Sequence, residues 1–211
     1  MSNSCPLCLR AQPEFFYQSR KQKYYHCPHC KGIFFDREML PDPEKEKGRY
    51  ESHNNDIYDE RYQAFVSPVV ESVLQDFTEG EKGLDFGAGP GPVISKLLQD
   101  KNYDIVQYDP YFYNDSTLLE KKYHYIVCCE VIEHFYTPQK DFELLKKLLL
   151  PGGKLYCMTQ LYGEGIDFGR WHYKNDNTHV FFYQKETMLY IKNQFDFNHV
   201  RFSGRLIVFG H

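Results

Sequence analysis

The stretch from Leu84 to Pro92, which reads Leu-Asp-Phe-Gly-Ala-Gly-Pro-Gly-Pro, decides the fold of this chain. Asp85 lies in an apolar strand pattern, glycines follow at positions 87, 89 and 91, and a helical pattern comes next. Glycines at this spacing let the backbone turn sharply and approach a ligand without Cβ clashes. A dinucleotide fingerprint would place its third glycine at Pro92. The stretch therefore predicts a strand–loop–helix unit that binds a nucleoside ligand without a pyrophosphate, at the carboxyl end of a parallel strand.

The segments on either side of this glycine loop (residues 87–91) alternate between strand and helix patterns. We predict strands at 82–86, 104–108, 123–130 and 154–159, helices at 69–77, 92–100, 138–150 and 185–193, and closing strands near 197–202 and 205–209. Ser67 and Pro68 are expected to be the N-cap and first residue of the helix at 69–77. This alternation predicts an α/β domain with a doubly wound, mainly parallel sheet, ending in an antiparallel C-terminal hairpin around Ser203-Gly204.

Four cysteines near the N-terminus form two C-x-x-C pairs, Cys5 with Cys8 and Cys27 with Cys30. Two such pairs at this separation are typical of a zinc ribbon, in which four thiolates surround one Zn²⁺. Aromatic segments at 15–17, 24–26 and 32–35 predict its short strands, and His26 and His29 are expected to be non-ligands. Because so small a module buries little apolar surface, zinc would supply its folding energy. Redox-active disulfides are the alternative.

The other three cysteines fall in strand patterns, where we expect small apolar core residues: Cys128, Cys129 and Cys157.

Composition restricts the class of protein. The chain has 211 residues, 42% hydrophobic and 26% charged, with a formal net charge of −4. These values are those of a soluble globular protein, and the acidic balance argues against a broad nucleic-acid-binding face. No apolar run reaches the roughly 20 residues that span a bilayer, and no signal-peptide pattern is present, so we expect a cytoplasmic protein. We predict three units: the ribbon at 1–35, a linker that covers the cofactor at 36–66, and the α/β domain at 67–211.

Asp85 and the glycine loop resemble the first motif of the class I S-adenosylmethionine-dependent methyltransferases. Asp109 ends the second strand about twenty residues further on, where this family binds the ribose hydroxyls. The segments 129–134 and 148–153 resemble its fourth strand with the following turn, and its Pro-Gly-Gly helix end. The segment after Asp109 is short, so the family's third strand is expected to be vestigial. The resemblance implies a Rossmann-like fold and S-adenosylmethionine as cofactor, with Tyr111 or Phe112 stacking on adenine.

The cofactor contacts that the resemblance and the loop pattern suggest are Asp85, Gly87, Ala88, Gly89, Gly91, Asp109, Pro110, Tyr111, Glu130, Val131, His53 and Asn54. A solvated linker is the alternative for the segment that contains His53 and Asn54.

Residues 162–183 form an aromatic insert that follows the strand at 154–159. Its Trp, Tyr and Phe side chains are candidates for an apolar acceptor pocket, and packing is the equal alternative. His179 is the first candidate for a catalytic base or acceptor-orienting group, and His172 the second, because histidine exchanges protons near neutral pH. The alternative is that His179 only tethers the insert. A small-molecule acceptor is favoured.

Two other functions remain open. One is RNA methylation, with Arg20, Lys21, Lys23 and the aromatic residues at 24–25 of the ribbon reading the RNA. The other is a non-enzymatic zinc-binding adaptor that retains the cofactor fold.

Overall fold

The computed structural model describes residues 4–10, 12–19, 22–51 and 56–211. In chain order the strands are β1 (Glu14–Gln18), β2 (Lys23–His26), β3 (Ile33–Phe35), β4 (Gly83–Phe86), β5 (Ile105–Tyr108), β6 (Tyr123–Cys129), β7 (Leu149–Met158), β8 (Phe181–Phe182), β9 (His199–Ser203) and β10 (Leu206–Gly210). The α-helices are α1 (Pro43–Glu51), α2 (Glu60–Asp76), α3 (Val93–Gln99), α4 (Pro138–Leu148) and α5 (Lys185–Gln194). Within these described residues no helix has both the length and the apolar character needed to cross a bilayer.

The main sheet has six strands in the order β5-β4-β6-β7-β10-β9. Its first four strands pair in parallel, whereas β10 pairs antiparallel with both β7 and β9. Successive strand residues point to opposite faces, so Ile126 and Cys128 of β6 pack on the side of α4 and α5, and Tyr125 and Val127 pack on the side of α2 and α3. The predicted doubly wound, mainly parallel sheet with an antiparallel C-terminal hairpin is confirmed.

The second helix begins earlier than the sequence pattern indicates. The side chain of Asp59 accepts a hydrogen bond from the backbone N–H of Arg61, and α2 then runs without a break past Ser67 and Pro68. A proline in a helix has no N–H to donate to the carbonyl four residues earlier, here that of Ala64. Both Pro68 and Ala64 are exposed, so water can bind this carbonyl instead. The expected N-cap at Ser67 is therefore wrong: the local Ser-Pro pattern yields to one continuous helix.

Between β5 and β6 the chain forms a short 3₁₀-helix, Ser116–Glu120, capped by Asp115, and no strand. As a result β5 is an edge of the main sheet, in agreement with the expected loss of the family's third strand.

The ribbon segment forms a second sheet in the order β1-β2-β3-β8. Its last strand comes from the 162–183 insert, and Phe34 of β3 pairs with Phe181 of β8, their rings stacked at 6.2 Å. The side chain of Gln184 also donates to the carbonyl of Lys31 at 2.7 Å. The ribbon segment and the insert therefore share one sheet and one apolar cluster.

Candidate functional site

A cavity of about 650 Å³ lies at the carboxyl ends of β4, β5 and β6. Parallel α/β sheets bind their ligands at this edge. Ten of the predicted site residues line it: Asp85, Gly87, Ala88, Gly89, Asp109, Pro110, Tyr111, Glu130, Val131 and His179. The structure thus brings the two predicted acidic residues and the glycine loop to one cavity, whereas their roles in binding stay predictions.

Four predicted site residues are placed differently. Gly91 does not line the cavity, and its carbonyl instead accepts from the N–H of Val93 at the start of α3. His172 is the exposed first residue of a 3₁₀-helix, His172–Asn175, and it does not line the cavity. His53 and Asn54 lie outside the described residues.

The glycine loop takes a backbone path that other residues would resist. Gly87 and Gly89 have φ values of +78° and +63°. A Cβ at Gly87 would lie 2.6 Å from a methyl carbon of Val131, a distance that real Cβ atoms do not tolerate. The N–H of Gly87 donates to the carbonyl of Tyr108 at 2.8 Å, which fixes the loop against β5. The first glycine is therefore required both by conformation and by packing.

Asp109 is held by backbone donors from two sides. One carboxylate oxygen accepts from the N–H of Gly89 at 2.9 Å, and the other accepts from the N–H groups of Tyr111 and Phe112 at 2.8 and 3.2 Å. These bonds fix the carboxylate between the glycine loop and the end of β5. The first oxygen, with one of these bonds, retains the capacity to accept from a ligand hydroxyl.

Asp85 is 4% exposed, and the hydroxyl of Ser95 donates to its carboxylate at 2.8 Å. Burial raises the pKa of Asp85 from 3.8 to about 6, although the Ser95 hydrogen bond opposes the shift. A buried carboxylate of this kind favours a cationic ligand nearby.

Helix α1 covers the cavity through Glu46, which the sequence analysis did not identify. Glu46 is 4% exposed, and the hydroxyls of Tyr50, Tyr111 and Tyr136 donate to its carboxylate at 2.7, 3.2 and 3.0 Å. Arg49 of the same helix pairs with Asp176 of the insert at 2.9 Å. The i, i+4 spacing of Glu46 and Tyr50 could have predicted their contact on one helix face. The contacts of Glu46 with Tyr111 and Tyr136 could not be predicted, because these residues lie far later in the sequence.

At the other end of the cavity two histidines meet. Their rings have centroids 4.8 Å apart and belong to His134 and His179. Nδ1 of His179 lies 2.7 Å from the carbonyl oxygen of Tyr173, and Nδ1 of His134 lies 2.9 Å from that of Thr178. Because a carbonyl oxygen only accepts, each Nδ1 carries the proton and donates. Nε2 is then the nitrogen of each ring that can carry a lone pair.

Two glutamates lie near the end of β6, Glu130 in the cavity lining and Glu133 in the protein interior. Both carboxylate oxygens of Glu130 accept from the guanidinium of Arg205, at 2.7 and 2.6 Å, so this predicted cofactor contact faces the C-terminal hairpin with its charged group. Glu133 is fully buried and accepts from the hydroxyl of Tyr173. Burial raises the pKa of Glu133 to about 8, with the charge of Glu130 adding to the effect. Nothing in the sequence around Glu133 distinguishes it from a surface glutamate, so its burial could not be predicted.

The four N-terminal cysteines form one cluster. The sulfurs of Cys5 and Cys30 lie 3.5 Å apart, those of Cys8 and Cys27 lie 3.4 Å apart, and all four are within 4.8 Å of one another. Every cysteine of the chain is a free thiol. Four clustered thiols match the donor set of a structural zinc site.

Comparison with known proteins identifies the family and the fold. A family model described as a methyltransferase domain matches residues 58–201, which is more than half of the chain. No curated protein sequence matches.

Three solved structures of methyltransferases and a related protein share the fold of this chain. An O-methyltransferase family protein from Burkholderia thailandensis has a TM-score of 0.55 at 11% identity, and 79% of this chain aligns with 62% of that protein. Human N-acetylserotonin methyltransferase in complex with S-adenosylmethionine has a TM-score of 0.56 at 13% identity, with coverages of 81% and 60%. Haemonchus contortus phosphoethanolamine N-methyltransferase 2 in complex with S-adenosyl-L-methionine has a TM-score of 0.51 at 16% identity, with coverages of 64% and 37%. This chain thus spans less than two thirds of each of these proteins. The family match, on a fold shared with these enzymes, shows that the chain belongs to the methyltransferase-domain family.

Proposed function

We propose that this protein transfers a methyl group from S-adenosylmethionine to a small-molecule acceptor. The observation that carries the proposal is the single cavity shared by Asp85, Asp109 and the glycine loop. The two carboxylates lie at the ends of adjacent parallel strands, with the glycine loop between them. This arrangement suits the ribose of an adenosine and the methionine group attached to it.

The residues of the cavity fit this cofactor. Asp109 is oriented by three backbone donors and keeps acceptor capacity for a ribose hydroxyl. The buried carboxylate of Asp85 supplies a counter-charge for the cationic methionine end. Gly87 and Gly89 let the backbone approach the ligand closely, and Tyr111 and Phe112 offer aromatic faces for the adenine. When bound, the cofactor supplies a methyl group on a positively charged sulfur.

The acceptor lies, in this proposal, at the end of the cavity formed by His134 and His179. His179 is the acceptor-orienting residue, because it lines the cavity and its Nδ1 bond to the Tyr173 carbonyl fixes the ring. Holding donor and acceptor in this geometry supplies most of the rate enhancement expected of such an enzyme. Helix α1 and the insert both contribute side chains to the cavity, and its volume of about 650 Å³ suits a small acceptor. The O-methyltransferase family protein and the N-acetylserotonin methyltransferase that share the fold support the same class.

The RNA alternative has no such support. Tyr24 of the ribbon is fully buried, and Tyr25 is half-buried, with its ring against Phe34 and its hydroxyl donating to Asp36, so neither ring is fully exposed for base stacking. Arg20 and Lys21 lie outside the described residues. We propose instead that the four N-terminal thiols hold a structural Zn²⁺ that stabilises the shared sheet.

Calorimetry with the zinc-loaded full chain tests the cofactor assignment. We expect S-adenosylmethionine and S-adenosylhomocysteine to bind, and Asp109→Asn to weaken both by about 1–3 kcal/mol, since a charge-assisted acceptor is lost. Asp115→Asn is the matched control, because Asp115 also accepts from backbone in a turn but is exposed and outside the cavity. Equal affinities for the two variants, or no heat with the wild-type chain, would contradict the proposal.

A further inference from the structure

We propose that Glu133, His134 and His179 form a binding site for one divalent transition-metal cation at the acceptor end of the cavity. Cation binding is inferred from the geometry of these three side chains alone. The further inference that the cation binds the methyl acceptor rests on the proposed function.

The three side chains converge from two parts of the chain. Glu133 and His134 are consecutive residues in the turn after β6, and His179 comes from the insert. One ligand atom from each, a carboxylate oxygen and two ring nitrogens, lies within 4.8 Å of the other two. A cation at their centre needs only small side-chain adjustments to reach the distances of about 2.0–2.2 Å that such ligands prefer.

The two imidazoles are oriented as metal ligands are. Each donates its Nδ1 proton to a backbone carbonyl, His134 to Thr178 and His179 to Tyr173. Ligating histidines commonly hold a fixed tautomer through such a bond, which also makes the other nitrogen a stronger base. The carbonyl acceptors belong to the insert, so the orientation of both rings depends on one segment.

The carboxylate of Glu133 provides an independent observation. Glu133 is fully buried, one of its oxygens accepts from the Tyr173 hydroxyl, and its other oxygen has no hydrogen-bond partner among the residues that the structure describes. A buried carboxylate oxygen without a donor is costly, and a coordinated cation removes this cost. The guanidinium of Arg205 does not serve here, because it binds the carboxylate of Glu130.

The donor set indicates the class of cation. One carboxylate and two imidazoles suit Mn²⁺, Fe²⁺ or Zn²⁺, whereas the four thiols of the ribbon favour a softer, sulfur-bound zinc. The two sites are therefore chemically distinct, and a hard cation such as Mn²⁺ reports on the first without displacing metal from the second.

The position indicates what the cation contacts. Both imidazoles line the cavity, whereas Glu133 lies behind them in the protein interior. The remaining coordination positions of the cation face the cavity, where a hard, positively charged centre binds an acceptor through oxygen. The acceptor class that fits this site is accordingly a small molecule with a hydroxyl group, and vicinal hydroxyls would offer two ligands.

Electron paramagnetic resonance of Mn²⁺ added to the full chain tests the site, since bound Mn²⁺ loses the sharp signal of the free ion. The chain carries one equivalent of zinc for the four thiols and no excess, because excess Zn²⁺ would occupy the site in place of Mn²⁺. We expect one Mn²⁺ per chain, and at least a tenfold weaker affinity in Glu133→Gln and in His179→Asn. Glutamine retains an oxygen that accepts from Tyr173 but cannot form the anionic ligand that a cation binds, so E133Q tests the carboxylate with little change in shape. His172→Asn is the matched control, because His172 is an exposed histidine of the same insert.

Calorimetry with S-adenosylhomocysteine on the same variants separates the two proposals and reports on folding. Retained cofactor binding with lost Mn²⁺ binding in E133Q and H179N supports the metal site. Absence of Mn²⁺ binding at millimolar concentration, or equal binding by wild type and both variants, overturns it. If E133Q fails to fold, His134→Asn replaces it with the same expected loss. A wild-type chain that binds Mn²⁺ but not S-adenosylhomocysteine would refute the proposed function and leave the metal site standing.

Discussion

Replacing Asp85 by asparagine should make the ligand-free protein more stable at pH 8 while impairing cofactor binding. Asp85 is buried, and the Ser95 hydroxyl is the one side-chain donor to its carboxylate among the described residues. Burial raises its pKa from 3.8 to about 6. A folded-state pKa above the unfolded value means that the folded chain holds the proton more tightly. The free energy of unfolding therefore falls as the pH rises from about 4 to about 7, and the penalty is complete above that range.

The size of the effect follows from the shift in the pKa. A shift of about two pH units corresponds to about 3 kcal/mol, of which about half is already present at pH 5. Asparagine keeps an acceptor for Ser95 and carries no charge, so it avoids the penalty. The stability difference between Asp85→Asn and wild type should thus grow by about 1.5 kcal/mol between pH 5 and pH 8.

Urea unfolding of the zinc-loaded, ligand-free chain at both pH values measures this difference. Ser95→Ala provides the opposite control, because loss of the hydrogen bond to the charged form should raise the pKa of Asp85 further and steepen the decline. A difference between D85N and wild type that stays constant with pH would refute the reasoning, since it would mean that Asp85 ionises in the folded state at no cost. The same variant should bind S-adenosylhomocysteine more weakly at pH 8.

Three further changes have expected outcomes. Gly87→Ala should lower the free energy of unfolding by about 2–4 kcal/mol, through the positive φ and the clash with Val131, and a urea-unfolding loss below about 1 kcal/mol would contradict this. Glu46→Ala should release α1, seen as faster amide exchange across that helix and faster dissociation of S-adenosylhomocysteine, whereas unchanged exchange would show that the tyrosine hydroxyls do not hold it. Zinc removal by a chelator should expose both the ribbon segment and the 162–183 insert to trypsin, because β3 and β8 pair, and cleavage confined to the first 35 residues would argue against that coupling.

Much of the fold could be predicted because its signals are local. The unit from β4 to α3 is encoded by an apolar run, a glycine spacing and a helical period within about twenty residues. The C-terminal hairpin was predicted around Ser203-Gly204, and its two-residue turn is Gly204-Arg205, one residue further on, where Gly204 has a φ of +58°. The start of α2 was mistaken because two local signals compete, and the burial of Val66 on the same face as Val69 extends the helix past Pro68.

Other features depend on contacts between distant parts of the chain. Strand β8 has only two residues, and its partner β3 lies far earlier in the sequence, so no periodicity reveals it. His172 and His179 look alike in sequence, and only the folded insert leaves the first exposed and buries the second. Glu130 lines the cavity as expected, but the sequence did not reveal that the guanidinium of Arg205 from the hairpin turn binds its carboxylate. Gly91 completes the glycine pattern, yet serves the start of α3 rather than the cavity.

The joint sheet formed by the ribbon and β8 has a consequence for handling the protein. A truncated chain that starts after β3 would leave Phe181 and Phe182, both buried in the full chain, as an uncovered apolar edge next to His179. Such an edge promotes aggregation. Recombinant production therefore calls for a chain that keeps residues 1–35, with zinc in the growth medium if the proposed zinc site is correct. An inactive product that lacks these residues would say nothing about the chemistry of the cavity.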